Sequence, residues 1–285
     1  MAGQIHGSAD HVAHYRAFGY AVVKGVFGPE DVRALATAFD RVYAEALTHG
    51  ASFRRQNVFF RVAHDRALGR IVRFAQWPSY FDQVLARYRT DARLLAILEP
   101  LIGADLKQII NQLHWKPPGA ERVEFGYHQD IHFRRPPEAY RDPDASYVQT
   151  MIAVDPHRPD NGAMTVYPGS HRLGALSFPE RGRIMDAALS ADDLVALGLD
   201  PGALVDLVLD PGDVALWHPC TIHGSGPNAA PIDRRAYING YVKADKCDRG
   251  EWAFRGGRPC ALGAPVLVHY DDLYTRPEPH YVEEE

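Results

Sequence analysis

Apolar positions along this chain change their period near residue 106. Before that point the spacing is mainly helical around one early strand. Ser8 and Asp10 stand where they cap a short helix running to Phe18, and Gly19 is placed to stop it. Tyr20 to Val26 (YAVVKGV) is short and β-branched, which predicts a strand. Gly28-Pro29-Glu30-Asp31 opens a second helix, with proline and acids where a first turn tolerates them. Val32, Leu35, Ala36, Phe39, Val42, Tyr43, Ala46 and Leu47 then recur at helical spacing up to Gly50, a core-facing stripe. Tyr80 to Leu101 reads as one or two more helices closed by Gly103, so that residues 1–105 are expected to form a helical wall.

From about Leu106 to residue 260, short apolar runs alternate with turn signals. LKQIINQLHW is followed by PPG, FGYHQDIHF by RRPP and SYVQTMIAVD by PHRPDNG; AMTVYPGS, ALVDLVLDPG, DVALWHPCTIHG and RRAYINGYVKA come after. Regular short strands of this kind predict an antiparallel barrel or sandwich. Phe178 to Leu199 interrupts it with a polar, helix-compatible insertion that includes ADDLVALGLD. No repeat, low-complexity tract or linker divides the chain, and one domain over residues 1–285 is expected.

Composition narrows the partners. Hydrophobic residues make up 46% and charged residues 24%, too apolar for a disordered chain. The net charge of −5 argues against a dedicated nucleic-acid binder. Cys220, Cys247 and Cys260 form no C-x-x-C pair, which disfavours a disulfide framework or a cysteine zinc site and fits a reducing compartment. Neither a signal peptide nor an apolar run long enough for a membrane span is evident. The expectation is a cytoplasmic protein that works on a small molecule.

The chemistry is carried first by His128-Gln129-Asp130. On a strand, residues i and i+2 face the same side, about 6.6 Å apart along the chain, so His128 and Asp130 can converge on one metal. By itself the pattern is weak, since a solvated His/Asp pair reads the same way. His223, in TIHGSGPN, lies 95 residues later and completes two histidines and one carboxylate, the facial set of non-haem Fe(II) oxygenases; zinc would accept the same donors. Arg234 follows His223 by 11 residues, on the apparent next strand. A buried arginine near the metal needs an anionic partner, which a dicarboxylate cosubstrate would supply. Arg235 points to the opposite face and is expected to be solvated.

The chain resembles the phytanoyl-CoA dioxygenase family of Fe(II)/2-oxoglutarate oxygenases over most of its length. The motifs are FGYAVVKGVFGPEDV, LHWKPPG, YHQDIHF, DNGAMTVYPGSHRLG and PGDVALWHPCTIHGSGPN, in that order and followed by the arginine. The resemblance implies a double-stranded β-helix (jelly-roll, cupin-like) core with flanking helices, and iron held by His128, Asp130 and His223. It implies Arg234 on the distal carboxylate of 2-oxoglutarate with Ser225 close by, and Gln112 at a position where related enzymes contact the cosubstrate. The implied reaction consumes O2, most simply hydroxylating an unactivated C–H with release of succinate and CO2, and needs no general base. The segment FRRPPEAYRDPDAS departs from the fatty-acyl enzymes and would border the site. A carboxylate at 130 disfavours the halogenase branch. The rivals are a zinc hydrolase on the same triad, which would need a second carboxylate to activate water, and a non-catalytic cupin-like binding protein.

Other residues carry competing readings. His132 shares the predicted strand face but lies about 13 Å from His128, too far to be a ligand, and could line the substrate side. Arg134 could meet an anionic substrate group, although Arg134 and Arg135 before Pro-Pro read first as a solvated loop. Trp217 could wall the pocket or simply be core. His218 has the wrong parity to replace His223, and His171 in PGSH reads as a turn residue. Asn161-Gly162 reads as turn chemistry, with positive φ tolerated at both positions.

Overall fold

The computed structural model describes residues 8–121, 123–177, 189–264 and 278–282. From Leu106 onward the period-two pattern forms strands as expected. Leu106–Lys116 lies inside an eleven-stranded sheet and runs antiparallel to Arg234–Lys243. That strand pairs with Tyr147–Ala153, which pairs with Val214–Trp217 and so with Tyr20–Val23 at the edge. A four-stranded sheet runs Phe125–His128, His223–Ser225, Met164–Val166, Val205–Asp206.

Alternation along these strands decides what each face meets. Met151, Ala153, Trp217 and Ala236 of the larger sheet pack with Met164 and Val166 of the smaller one. Their chain neighbours Ile152, Leu216 and Tyr237 face the other way and share a core with Leu35, Phe39 and Val42 of the helix Pro29–Ala46. Two facing antiparallel sheets with helices covering the outer face of one make the double-stranded β-helix that the motifs implied.

The expected helical wall needs a correction. Helices Ser8–Phe18, Pro29–Ala46, Gln83–Tyr88 and Ala92–Ile102 form as read, and Gly19 (φ +77°) and Gly103 (φ +81°) follow two of them. The capping side chains of Ser8 and Asp10 lie outside the described residues. Residues 51–79, however, hold three strands, Phe53–Arg55, Val58–Asp65 and Gly69–Gln76, which extend the larger sheet past Leu106–Lys116. Their hairpin is set by Asp65, whose carboxylate accepts the amides of Ala67 (2.9 Å) and Leu68 (3.0 Å), and by Gly69 at φ +74°. The early strand stops at Val23 rather than Val26. There Gly25 turns at φ +62°, and Asp213 accepts its amide and the Lys24 ammonium. Within the polar insertion, ADDLVALGLD forms the helix Ala191–Ala196, while residues 178–188 lie outside the described set.

Arg234 and Arg235 do face opposite sides of their strand, but Arg235 is not solvated. Its Nε and Nη2 grip Asp155 at 2.9 and 3.0 Å, and Nη1 reaches Asp40 of the helix Pro29–Ala46 at 3.0 Å. The covering helix half-buries Arg235, and the two carboxylates satisfy its charge there.

Candidate active site

His128 closes the strand Phe125–His128 and lies directly opposite His223 in register, with ring centroids 4.2 Å apart. The strand ends there, so Asp130 is not on the same strand face as first read. Gln129 stays extended, and Asp130 opens the 3₁₀ turn Asp130–Phe133. Gln129 points away and is pinned: its amide donates to Gly174 O (2.9 Å) and Cys220 O (2.7 Å) and accepts from Leu176 N (2.8 Å). That anchorage turns the carboxylate of Asp130 back to 3.5 Å from His223 Nε2. One donor atom from each of His128, Asp130 and His223 lies within 4.8 Å of the others.

The hydrogen bonds around this trio leave its metal-binding lone pairs free. His128 Nδ1–H donates to Gly126 O (2.8 Å) and His223 Nδ1–H to Thr221 O (2.9 Å), which fixes the tautomers and frees both Nε2 atoms. Trp217 Nε1–H donates to Asp130 Oδ2 at 2.7 Å, so Trp217 is more than a wall or core residue. Burial opposes ionisation of Asp130, but His223, His128, Arg134 and the Trp217 N–H together outweigh it and hold the carboxyl below its usual range. Burial, with His223 adding to it, pushes His128 down to about 4, the neutral form a metal requires. Two imidazoles with free Nε2 atoms and one carboxylate, each held by a second group, fit a divalent first-row metal.

These residues line a cavity of about 230 Å³ between the two sheets. At its other end stand Arg234, Ser225 and Gln112. Arg234 is 4% exposed, its Nε is buried without a partner, and its guanidinium has no hydrogen bond among the described residues. Burial pushes it down to about 10, with Asp155 acting the other way. Across the strand pair from it lies Lys116, whose ammonium donates to Ser225 Oγ (2.7 Å) and to Gly226 O. Burial pushes Lys116 down to about 6, with Arg234 adding to the effect. A buried guanidinium beside a buried amine and a hydroxyl, with no carboxylate gripping the arginine, forms a site short of negative charge. A dicarboxylate fits it. Gln112 accepts from His114 Nε2–H at 2.9 Å, which leaves its NH₂ as a donor.

Lys116 went unread in the sequence. Its signal is parity: Gln112, His114 and Lys116 recur at every second position on one face of the strand, in step with the predicted cosubstrate residue Gln112. Gln149 was missed likewise, a polar residue inside YVQTMIA that lines the cavity. The solvated-loop reading of Arg134 is wrong. This side chain is 4% exposed and lines the cavity, because the turn Asp130–Phe133 folds the chain back inward. His132 faces the other way, 3.2 Å from Gln129 Oε1, and is not among the lining residues. Asn161 and Gly162 do form a turn, with positive φ at Gly162 alone.

A second group, Asp144, His218 and Cys220, also brings its donor atoms within 4.8 Å. It is not a metal site in this arrangement. His218 Nε2–H donates to Asp144 O (3.0 Å) and Nδ1 accepts Cys220 N–H (3.1 Å), so no imidazole lone pair is left. Burial also pushes the Cys220 thiol up to about 12, away from thiolate chemistry. His218 is therefore no ligand, and His171, on the turn Ser170–Leu173, meets Arg16 O instead (3.3 Å).

Comparison with known proteins bears on the family and the fold. The chain is 26% identical over 239 residues to a probable alpha-ketoglutarate-dependent hypophosphite dioxygenase of Stutzerimonas stutzeri, covering 83% of this chain and 79% of that protein. It is 28% identical to the peroxisomal phytanoyl-CoA dioxygenase of Bos taurus, covering 78% of this chain but only 64% of the relative. The fold matches EctD from S. alaskensis, solved with bound Fe, at a TM-score of 0.67 and 22% identity, over 93% of this chain and 87% of the other. The family model for phytanoyl-CoA dioxygenase (PhyH) matches residues 15–236, and the chain belongs to that family.

Proposed function

We propose that His128, Asp130 and His223 hold Fe(II), that Arg234 and Ser225 take the distal carboxylate of 2-oxoglutarate, and that the enzyme hydroxylates an unactivated C–H of a small molecule. The chain is an iron- and 2-oxoglutarate-dependent dioxygenase by family. The observation that carries the residue roles is the unpartnered guanidinium of Arg234 in the same cavity as a trio with free Nε2 atoms. A zinc hydrolase would leave that arginine without a purpose. It would also need a second acid, and Asp130 is the one carboxylate lining the cavity among the described residues.

When bound, iron and 2-oxoglutarate together supply O2 activation with release of succinate and CO2. The chain's own work is positional. Arg234 fixes one end of the cosubstrate in a bidentate grip, and this sets the orientation of its keto acid end. Gln112, held by His114, offers a further donor. Trp217 keeps Asp130 oriented and ionised. Phe74, Phe125, Met151, Met164 and Ile238 line the remaining wall and keep water away from the reacting C–H. We read residues 1–285 as one oxygenase domain. No helix among the described residues is long and apolar enough to cross a membrane. Three free cysteines, two of them buried, favour a reducing compartment and so the cytoplasm.

Anaerobic titration with Fe(II) and 2-oxoglutarate tests the assignment. A weak visible charge-transfer band appears at one equivalent of each and is missing with zinc; its absence with iron refutes the cofactor roles. Lys116 adds a pH signature. Its ordinary value is 10.5 and it sits near 6 without ligand. A carboxylate arriving beside it favours the charged form and raises that value. Cosubstrate binding at pH 7.5 to 8 therefore draws in up to one proton, and below about pH 5, where the amine is charged in both states, it draws none. Binding heats in two buffers of different ionisation enthalpy measure the uptake, which Lys116→Met abolishes.

A further inference from the structure

We propose that Arg134, together with Gln149, forms the subsite for a carboxylate of the prime substrate, so that the enzyme acts on a small acid rather than on a neutral molecule. This rests on the oxygenase reading of the same cavity and goes on to name its substrate class.

The protein itself contains a standard for a purely structural buried arginine. Arg89 is fully buried and spends its guanidinium on three protein oxygens: Gln108 Oε1 (2.6 Å), Cys260 O (2.9 Å) and Trp252 O (2.7 Å). Arg134 is nearly as buried but makes a single long bond among the described residues, Nε to Asp130 O at 3.4 Å, and its Nη1 is buried without a partner. The carboxylate it influences is that of Asp130, which already binds Trp217 and faces the metal position. A cation desolvated to this extent and left unpaired is strongly unfavourable unless a ligand completes it.

Its surroundings form a corner shaped for an anion. The guanidinium stands 5.9 Å over the Tyr147 ring. Tyr147 and Gln149 share one face of the strand Tyr147–Ala153, and Gln149 is paired in register with Trp217, which bonds Asp130. Arg134, Gln149, Trp217 and Asp130 thus line one corner of the cavity, with Tyr147 behind the guanidinium. Gln149 is 2% exposed, lines the cavity, and has its amide Oε1 unpartnered. The strand residue opposite it is Gly240, where a Cβ would come within 2.3 Å of that oxygen. The oxygen lies over that glycine, which leaves the NH₂ as the amide group turned toward the cavity. A guanidinium and an amide N–H then offer convergent donors to one carboxylate.

This corner is separate from the cosubstrate end, where Arg234 stands on another strand beside Lys116 and Ser225. Arg134 follows the ligand Asp130 by four residues, so an acid gripped there has its nearby carbons beside the metal. The cosubstrate shares this cavity of about 230 Å³, so the part of the acid that lies beside the metal has to be compact.

The test uses the full chain loaded with Mn(II) and N-oxalylglycine, an analogue that occupies the Arg234 end without turnover. Calorimetry then measures binding of C3–C8 aliphatic monocarboxylic acids and benzoate, each against its own primary amide. At least one acid is expected to bind with 1:1 stoichiometry and roughly tenfold or more tighter than its amide. R134Q removes that preference, R134K keeps part of it, and Q149L weakens it, while all three still bind Mn(II) and N-oxalylglycine. The proposal is overturned if every amide matches its acid, if no acid binds by 10 mM, or if R134Q keeps the preference. Failure of N-oxalylglycine to bind the wild-type protein is a different result, and it would count against the cosubstrate site.

Discussion

Asp130→Ala abolishes coupled turnover, with succinate release falling by at least about a thousandfold, because loss of a ligand exceeds the 10–100-fold typical of a group that only supports one. The variant loses more than one donor. Without its carboxylate the Trp217 N–H at 2.7 Å is left without an acceptor, and His128 and His223 face each other with no negative charge between them. The residual two-imidazole site also binds iron more weakly, so the loss persists at saturating 2-oxoglutarate and is not rescued by cosubstrate. His171→Ala provides the contrast. That side chain meets the Arg16 carbonyl at 3.3 Å and the His218 ring at 5.3 Å, does not line the cavity, and its loss leaves both iron stoichiometry and turnover close to wild type. Iron content by metal analysis together with succinate release separates the two. Equal activity in Asp130→Ala and the parent would remove the metal assignment altogether.

The parts of the site that were legible in the sequence are those that short-range geometry decides. His128 and Asp130 are two residues apart, and extended backbone over that span brings their side chains to one side whether or not the strand continues through Asp130. His223 and Arg234 were readable because each opens a strand, and the segment GSGPNAAP between them marks the turn. What could not be read depended on partners distant in sequence. Arg134 and Arg135 before Pro-Pro look like any solvated loop until the 3₁₀ turn carries Arg134 under the sheet. Arg235 looks solvated until the helix Pro29–Ala46, about 190 residues earlier, brings Asp40 to it. Strands 53–76 were absorbed into a helical wall because their alternation is short and interrupted by arginines. Only pairing with Leu106–Lys116 makes them the edge of the barrel that supplies Phe74 and Gln76 to the cavity. Lys116 had the right parity from the start, but the meaning of a buried lysine comes from the arginine across the strand pair.

Arg234→Met separates a binding role from a structural one, because the two predict opposite changes in stability. Truncating one partner of a buried charge pair costs about 2–5 kcal/mol, so the KM for 2-oxoglutarate rises roughly thirtyfold to a few thousandfold. The charge-transfer band disappears at modest cosubstrate concentration and returns in part when it is raised. In the unliganded protein the sign reverses. Arg234 is 4% exposed, has no hydrogen-bond partner among the described residues, and lies beside Lys116, which burial and this arginine already hold near 6. Methionine fills a similar volume without a charge, and replacing an unpaired buried ion with an apolar side chain is neutral or stabilising. The unliganded variant therefore melts at or above the wild-type temperature, and Lys116, relieved of its neighbour, regains part of its ordinary basicity. Saturating 2-oxoglutarate with Mn(II) raises the melting temperature of the wild type far more than that of the variant. An arginine kept for packing alone would do the reverse: the variant would melt early, and its cosubstrate affinity would be unchanged.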